Sequence, residues 1–288
     1  MTEPMTTALA SLPLEWMKGS VFVALIVALF VFEAIHPRRS AAFDWKHRLR
    51  NLGLIAVSTI ALRLIYPIGA IGFAATWNRG LFHSDLWQSL SVPAWVTTFA
   101  TIMVLDFAIY WQHRAFHAWP WFWRAHRVHH TDILFDTTLG VRFHPFEILP
   151  SYAWKLLIIA LLGAASTAVA IYEATLLAFS LFSHANISIP SAFDRALRKI
   201  VITPDWHRVH HSVHRDETNS NFGNFLSIWD RSFGTAKESP RDGHLKMHLG
   251  LEDFRSPSAQ RLLALLWQPL VSKPTVDLTS KPEEPSHA

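Results

Sequence analysis

The sequence predicts an all-α integral-membrane protein of about four transmembrane helices, with a cytoplasmic helical cap carrying a histidine-rich two-metal site. Three observations lead there. Apolar runs of membrane-spanning length recur between clusters of Lys and Arg. Only 17% of the 288 residues are charged, and half are apolar, whereas a soluble domain is about a quarter charged. Finally, eleven of the seventeen histidines fall between His113 and His214.

The composition also excludes several classes. There is no cysteine, so this chain can form no disulfide, thiolate metal site or iron–sulfur cluster. The net charge of +4 is not gathered into a stripe of the kind that binds nucleic acid. Thirteen Trp and twenty Phe suit aromatic belts at membrane interfaces.

Taken in order, "GSVFVALIVALFVFEAI" (Gly19–Ile35) is the first expected span. Its "MTEPMTT" start has no basic region and no small-residue cleavage site follows, which argues against a signal peptide. Asn51–Trp77 is the second, interrupted by Arg63 and Pro67, and Val92–His113 is the third. Phe146–Phe182 is long enough for two shorter helices turning near Gly163. Each run reaches the roughly 20 apolar residues that cross a bilayer. Arg261–Val271 reads as an amphipathic segment, at the membrane surface or in solvent, and the Pro-rich 272–288 as a disordered tail. The chain thus divides into N-terminal spans over 1–100, a catalytic-type domain over 101–240 and a C-terminal segment over 241–288.

Orientation follows from charge. Arg38, Arg39, Lys46, Arg48 and Arg50 lie between the first two spans, against Arg79 alone between the second and third. The positive-inside bias places the N-terminus outside and every dense histidine cluster on the cytoplasmic side.

The pentapeptide "HRVHH" is written twice, at His126–His130 and His207–His211, with different flanks. His126, His129 and His130 are spaced i, i+3, i+4, which is one helical face, and His207, His210 and His211 repeat the spacing. His113 and His117 stand one turn apart at the end of the third span. Eight imidazoles from three helices can therefore converge on a common centre that no single helix can fill. Imidazole suits Zn, Cu, Fe and Ni, and eight or more ligands point to two ions. The carboxylate-bridged Glu-x-x-His pattern does not occur. Asp106, two turns before His113, is a carboxylate in an apolar span. It is expected to be functional, accepting a proton from an imidazole N–H and so fixing a ligand's orientation. Asn221 and Asp230 are expected to cap or bridge elements near the site. Trp119, Trp121 and Trp123 read as interface anchors. His36, His47, His83, His244, His248 and His287 are read as structural. Arg63 is either a snorkelling charge or the partner of a buried acid. "GAIGFA" (Gly69–Ala74) lies inside a span and is no dinucleotide site.

The motifs "DFAIYWQHRAFH", "HRVHH", "RFHPFE", "FSHANI", "PDWHRVHHSVH" and "NFGNFLSIWDRSFGT" follow one another from Asp106 to Thr235. In that order they resemble the fatty acid hydroxylase/sterol desaturase superfamily of membrane di-iron oxygenases. The resemblance implies metal ligands at His113, His117, His126, His129, His130, His207, His210 and His211, with His184 of "FSHAN" as a ninth. His144 and His214 also match family positions, as ligands or site lining. It further implies two iron ions, molecular oxygen as co-substrate, and a lipid substrate (a sterol, fatty acyl chain or related lipid) that is hydroxylated or desaturated in lipid biosynthesis. The electron donor is expected to be a separate cytochrome- or ferredoxin-type protein with its reductase, because no haem or flavin module is recognisable. The rival reading is a non-catalytic histidine-rich membrane protein that binds metal. Clustering of the ligands on one side, rather than along a path through the spans, speaks against a carrier.

Overall fold

The computed structural model describes residues 12–40, 44–77, 79–83 and 89–271, so the reading of the Pro-rich tail and the expectation for His287 fall outside it. The described residues are helical, with three isolated β-bridges and no strand. The long helices are α1 (Leu12–Ile35), α2 (Trp45–Ile65), a short α3 (Ala70–Thr76), α4 (Ala94–Ala118), α5 (Pro120–His130), α6 (Pro145–Leu162) and α7 (Ser166–Ser183). Short helices α8 (Ser191–Leu197), α9 (Pro204–His210), α10 (Arg215–Thr218), α11 (Ile228–Ser232), α12 (Gly243–Lys246) and α13 (Leu262–Trp267) follow.

Five runs are long and apolar enough to cross a membrane: Trp16–Ile35, Trp45–His83, Ala94–Ala118, Pro145–Leu162 and Ser166–Ser183. They coincide with the expected apolar runs, the Phe146–Phe182 stretch supplying two of the five. The Phe146–Phe182 stretch resolves into two helices of 18 residues, each about 27 Å long and just sufficient to span. Gly163 makes the turn between them in the left-handed region, φ 62°. Its amide closes on the Ile159 and Ala160 carbonyls, and a Cβ there would meet the Arg79 carbonyl oxygen at 2.5 Å, so only glycine fits. On α1 the outward stripe Val23, Val27, Val31, Ile35 is more than half exposed, as a lipid-facing surface should be.

Helix ends are set by local chemistry. Asp44 caps α2 by accepting from the Lys46 and His47 amides. The helix stops at Tyr66, before Pro67, whose ring disfavours helix in its predecessor. Pro120 opens α5 straight after α4 ends, so the last turn of α4 and the face of α5 meet at a bend.

Direction alternates along the bundle. Consequently the C-terminal ends of α1, α4 and α7 and the N-terminal ends of α2 and α6 lie together. Arg48 of α2 pairs with Glu33 of α1 at 2.7 Å. Glu33 also accepts from the Thr137 and Asn186 amides, just before α6 and just after α7. One apolar core, around Ile71, Leu105, Ile159 and Tyr172, joins α3, α4, α6 and α7; another, around Leu29, Leu181 and Ile187, joins α1 to α7. The Arg261–Val271 segment is anchored on the protein. Leu265 is fully buried against Leu54 and Val128, and Arg124 and Arg127 of α5 donate to the Pro269, Gln268 and Val271 carbonyls. Its other side, Leu263, Trp267 and Leu270, is exposed.

Candidate metal centre

The repeated pentapeptide forms the last turns of α5 and α9. On a helix, i+3 falls about 60° to one side of residue i and i+4 about 40° to the other. Each "HRVHH" can therefore present its outer pair in one direction and its middle histidine in another. That is how the site is built. His126 and His130 of the first copy gather with His210 of the second, and with His113 and His117 from α4. His207 and His211 of the second copy gather with His129 of the first, and with His184 at the end of α7. In each group the ligand-capable nitrogens lie within 4.8 Å of one another.

The structure thus brings together all nine histidines expected at the site. His144 and His214 are not among them. His144 caps α6 by accepting from the Phe146 amide, and its Nε2 lies 3.1 Å from the Leu266 carbonyl oxygen. His214 pairs with Asp242 on the partly exposed side of the cap. The expectation for Asp106 is corrected in its partner. Its Oδ2 accepts from the Leu226 amide and from Trp229 Nε1 at 2.8 Å, so it ties α4 to the Asn221–Trp229 segment rather than to an imidazole. Two turns along a helix is the same face, but here that face meets the loop before it meets the histidines. Asn221 and Asp230 act as the sequence suggested. Asn221 Nδ2 donates to the Trp206 and Lys237 carbonyls, and Asp230 accepts from the Phe222 and Gly223 amides. Those contacts hold in place the carbonyls that the site uses.

Those carbonyls decide the chemistry. His113 Nδ1 donates to the Phe222 carbonyl and His210 Nδ1 to the Ser220 carbonyl, both at 2.7 Å. A carbonyl only accepts, so each neutral ring carries its hydrogen on Nδ1 and a bare lone pair on Nε2. Yet these two Nε2 atoms face each other at 3.1 Å. His126, with Nδ1 on Glu147 at 2.7 Å, brings its own Nε2 to 3.1 Å from His113 and 3.2 Å from His130. In the second group His184 donates Nδ1 to the Ser180 carbonyl and sets Nε2 3.1 Å from both His129 and His207. The Nε2 lone pairs of His113, His126 and His210, facing at such distances, repel unless a cation lies between them. Two nitrogens bound at about 2.1 Å to one ion, at a right angle, are about 3.0 Å apart. The donor set therefore fits a pair of nitrogen-ligated metal ions. Protonation is no way out. Burial, reinforced by the neighbouring imidazoles, holds His129, His130, His207, His210 and His211 well below the usual 6.5, and burial holds His184 at about 4.

A cavity of about 490 Å³ adjoins the histidines, and His113, His126, His129, His184 and His207, from both groups, line it. Phe22, Leu62, Ile109, Phe116 and Leu176 are among its apolar lining residues, and Lys18, Arg63, Lys155 and Glu173 contribute charge. Sequence reasoning missed Glu147 as the partner of His126, although it sits within "RFHPFE". It also assigned nothing to Lys155 and Glu173, whose signal was a charge inside an apolar span.

A family model described as fatty acid hydroxylase matches residues 98–235. The chain is 27% identical over 273 residues to the ornithine lipid hydroxylase OlsE of Rhizobium tropici, covering 91% of this chain and 78% of that protein. It is 27% identical over 139 residues to the alkylglycerol monooxygenase of Homo sapiens, covering 48% of this chain and 30% of that one. With the cholesterol 25-hydroxylase of Rattus norvegicus it shares 22% over 147 residues, 50% of this chain and 48% of the other. The chain thus spans less than half the length of these two animal relatives. No solved structure matches it.

Proposed function

We propose, from the match of residues 98–235 to the fatty acid hydroxylase family, that the chain is a membrane-bound, dioxygen-dependent di-iron oxidoreductase acting on a lipid from the bilayer. Lipid oxidation is the activity named in all three relatives above. Hydroxylation, rather than desaturation, is the outcome those names favour. The observation that carries the reading is the set of facing imidazole lone pairs beside a largely apolar cavity. Five and four nitrogens would hold the two ions. When bound, the iron pair would supply the electron-transfer chemistry that activates dioxygen. The overall reaction balances as R–H + O2 + 2 electrons + 2 protons giving R–OH + H2O. The electrons would come from a separate donor, cytochrome- or ferredoxin-type with its reductase, docking from the cytoplasmic side. That face is supported by the five basic residues of the first loop, Arg38, Arg39, Lys46, Arg48 and Arg50.

The chain's own residues prepare this chemistry. The Phe222, Ser220 and Ser180 carbonyls hold three rings in one tautomer, and Glu147 takes the Nδ1 proton of His126 as hydrogen-bond acceptor, raising the basicity of the opposite nitrogen. The apolar walls orient an alkyl chain and keep water from the reacting C–H bond. Metal analysis of the purified protein, Mössbauer spectra of an iron-loaded sample, and lipid products formed under 18O2 test the proposal together. Two ions per chain and one labelled oxygen in a lipid hydroxyl are expected. One ion or none, or products that do not depend on oxygen, would sink it.

A further inference from the structure

Helices α1, α2, α4, α6 and α7 wall the cavity beside the histidines. Its described lining residues are buried or half-buried with three exceptions. Gly19 on α1 and Thr59 and Arg63 on α2 line the cavity and are also exposed. The cavity therefore meets the surface between these two helices.

Packing closes the other sides. α1 packs on α7, and Lys18 Nζ donates to Glu173 Oε2 at 2.6 Å across that contact. Lys155 of α6 reaches the other oxygen of Glu173 and ties α6 to α7. α2 packs on α6, and just beyond its end the Tyr66 and Tyr152 rings stand 5.2 Å apart. The Glu33–Arg48 pair joins α1 to α2 at the histidine end of the bundle. At Gly19 an added Cβ would meet no atom within 4 Å. Glycine weakens a helix interior by about 1 kcal/mol relative to alanine, and neither a turn nor a close contact calls for it here. What it contributes is the missing side chain.

The opening lies at a height where the solvent is lipid. Gly19 stands sixteen residues before Ile35 and Thr59 fourteen after Trp45, rises of about 24 and 21 Å along their helices. Those two helix ends lie together, so Gly19 and Thr59 stand at similar heights. Both fall within runs of membrane-spanning length. Val23 of α1 and Ile60 and Leu64 of α2, beside them in sequence, are exposed as lipid-facing residues are.

We infer that the gap bounded by Gly19 and Thr59 is a lateral portal, through which an alkyl chain dissolved in the bilayer enters the cavity without passing through water. The portal deepens the lipid-oxidising reading. It rests on that reading for what happens to the chain inside, though not for entry.

The test uses the metal-free, full-length protein in nanodiscs of neutral lipid. The probe is dodecanol carrying a terminal aliphatic diazirine, with photoadducts mapped by tandem mass spectrometry. Adducts are expected on the outward stripe of α1 and also on Gln112 or Ser151, half-buried residues that line the cavity from α4 and α6. The paired variant Gly19→Trp/Thr59→Trp should lower the cavity adducts about tenfold or more, a modest rise in the barrier to entry. Unchanged adducts on Val23 and Val31 would report that the helices are still in place. Val27→Trp, exposed on α1 but not lining the cavity, should leave the cavity adducts at full level. Thr59→Trp alone, at an exposed position, should act in the same direction if the paired variant does not insert. Cavity adducts missing from the unmodified protein would overturn the inference. So would cavity labelling that survives the Trp variants, or that falls equally in Val27→Trp. Because no turnover is needed, failure here leaves the oxygenase proposal standing with another entrance, and absence of oxidation products would leave the portal standing.

Discussion

The two histidine groups are built from the same pentapeptide, used in opposite ways. The group on α4 takes the outer pair of the first "HRVHH" and the middle residue of the second; the group on α7 takes the outer pair of the second and the middle residue of the first. This reciprocal core is then completed unequally, by His113 and His117 on one side and by His184 alone on the other. The hydrogen bonding is unequal too. In the five-histidine group, His113, His117, His126 and His210 each have Nδ1 against an oxygen, of Phe222, Asn219, Glu147 and Ser220 respectively. In the four-histidine group only His184 does, on Ser180, while the Nδ1 atoms of His129, His207 and His211 have no hydrogen-bond partner among the described residues. Sequence repetition gives matching donors, and the surrounding scaffold makes one set more rigidly oriented than the other.

The largest effects should come from breaking the reciprocal core. His129→Ala and His210→Ala each remove a middle histidine, one from each group. Each should lower product formation by about a thousandfold or more, and the double variant should be no worse than either single one, because residues acting as a unit are not additive. Turnover that survives in one single variant would show that only one group serves the reaction.

Acid comes next. Six of these imidazoles stay neutral in the fold well below 6.5, with His184 titrating at about 4. The unfolded chain takes up protons as the pH falls through 6.5 while the folded chain does not, so stability falls with falling pH. Each such histidine contributes about 1.4 kcal/mol per pH unit in that window. The melting temperature of metal-free protein should be level above pH 7 and drop steeply between 6.5 and 5. A level profile would mean that the folded imidazoles accept protons together.

Glu147→Gln sharpens the comparison by loosening the better-held group. Metal affinity of one site should fall about 10- to 100-fold. In the unmodified protein, graded chelation should strip the four-histidine group first. In Glu147→Gln the two steps of metal release should draw together. Two steps unchanged by the substitution would show that Glu147 does not set ligand strength.

The smallest effects are expected outside both groups. His214→Ala removes a partly exposed pair with Asp242, and His83→Ala removes a contact with the Gly163 carbonyl at the far end of the bundle. Activity and metal content should be near normal in both. Loss of an ion from His214→Ala would enlarge the site beyond nine histidines.

The sequence by itself determined the spans, because hydrophobic length is a property of a continuous segment, and the ligand faces, because i, i+3, i+4 spacing is fixed within one helix. The turn at Gly163 and eight of the clustered histidines were legible for that reason, while His184, alone in its helix, was expected only from the family resemblance. Only the tertiary structure decided which histidine joins which group, since that depends on the angle at which α4, α5, α7 and α9 meet. It also decided which oxygens fix the tautomers. The Phe222 and Ser220 acceptors are backbone carbonyls, a group every residue has, so no letter in the sequence marks them. Asp106 shows the limit of spacing arguments, because a shared helical face specifies a direction, and what stands in that direction comes from another part of the chain. The meeting of Lys18, Lys155 and Glu173 was hidden for the same reason. Each is a lone charge in its own helix, and only packing makes the three a single feature.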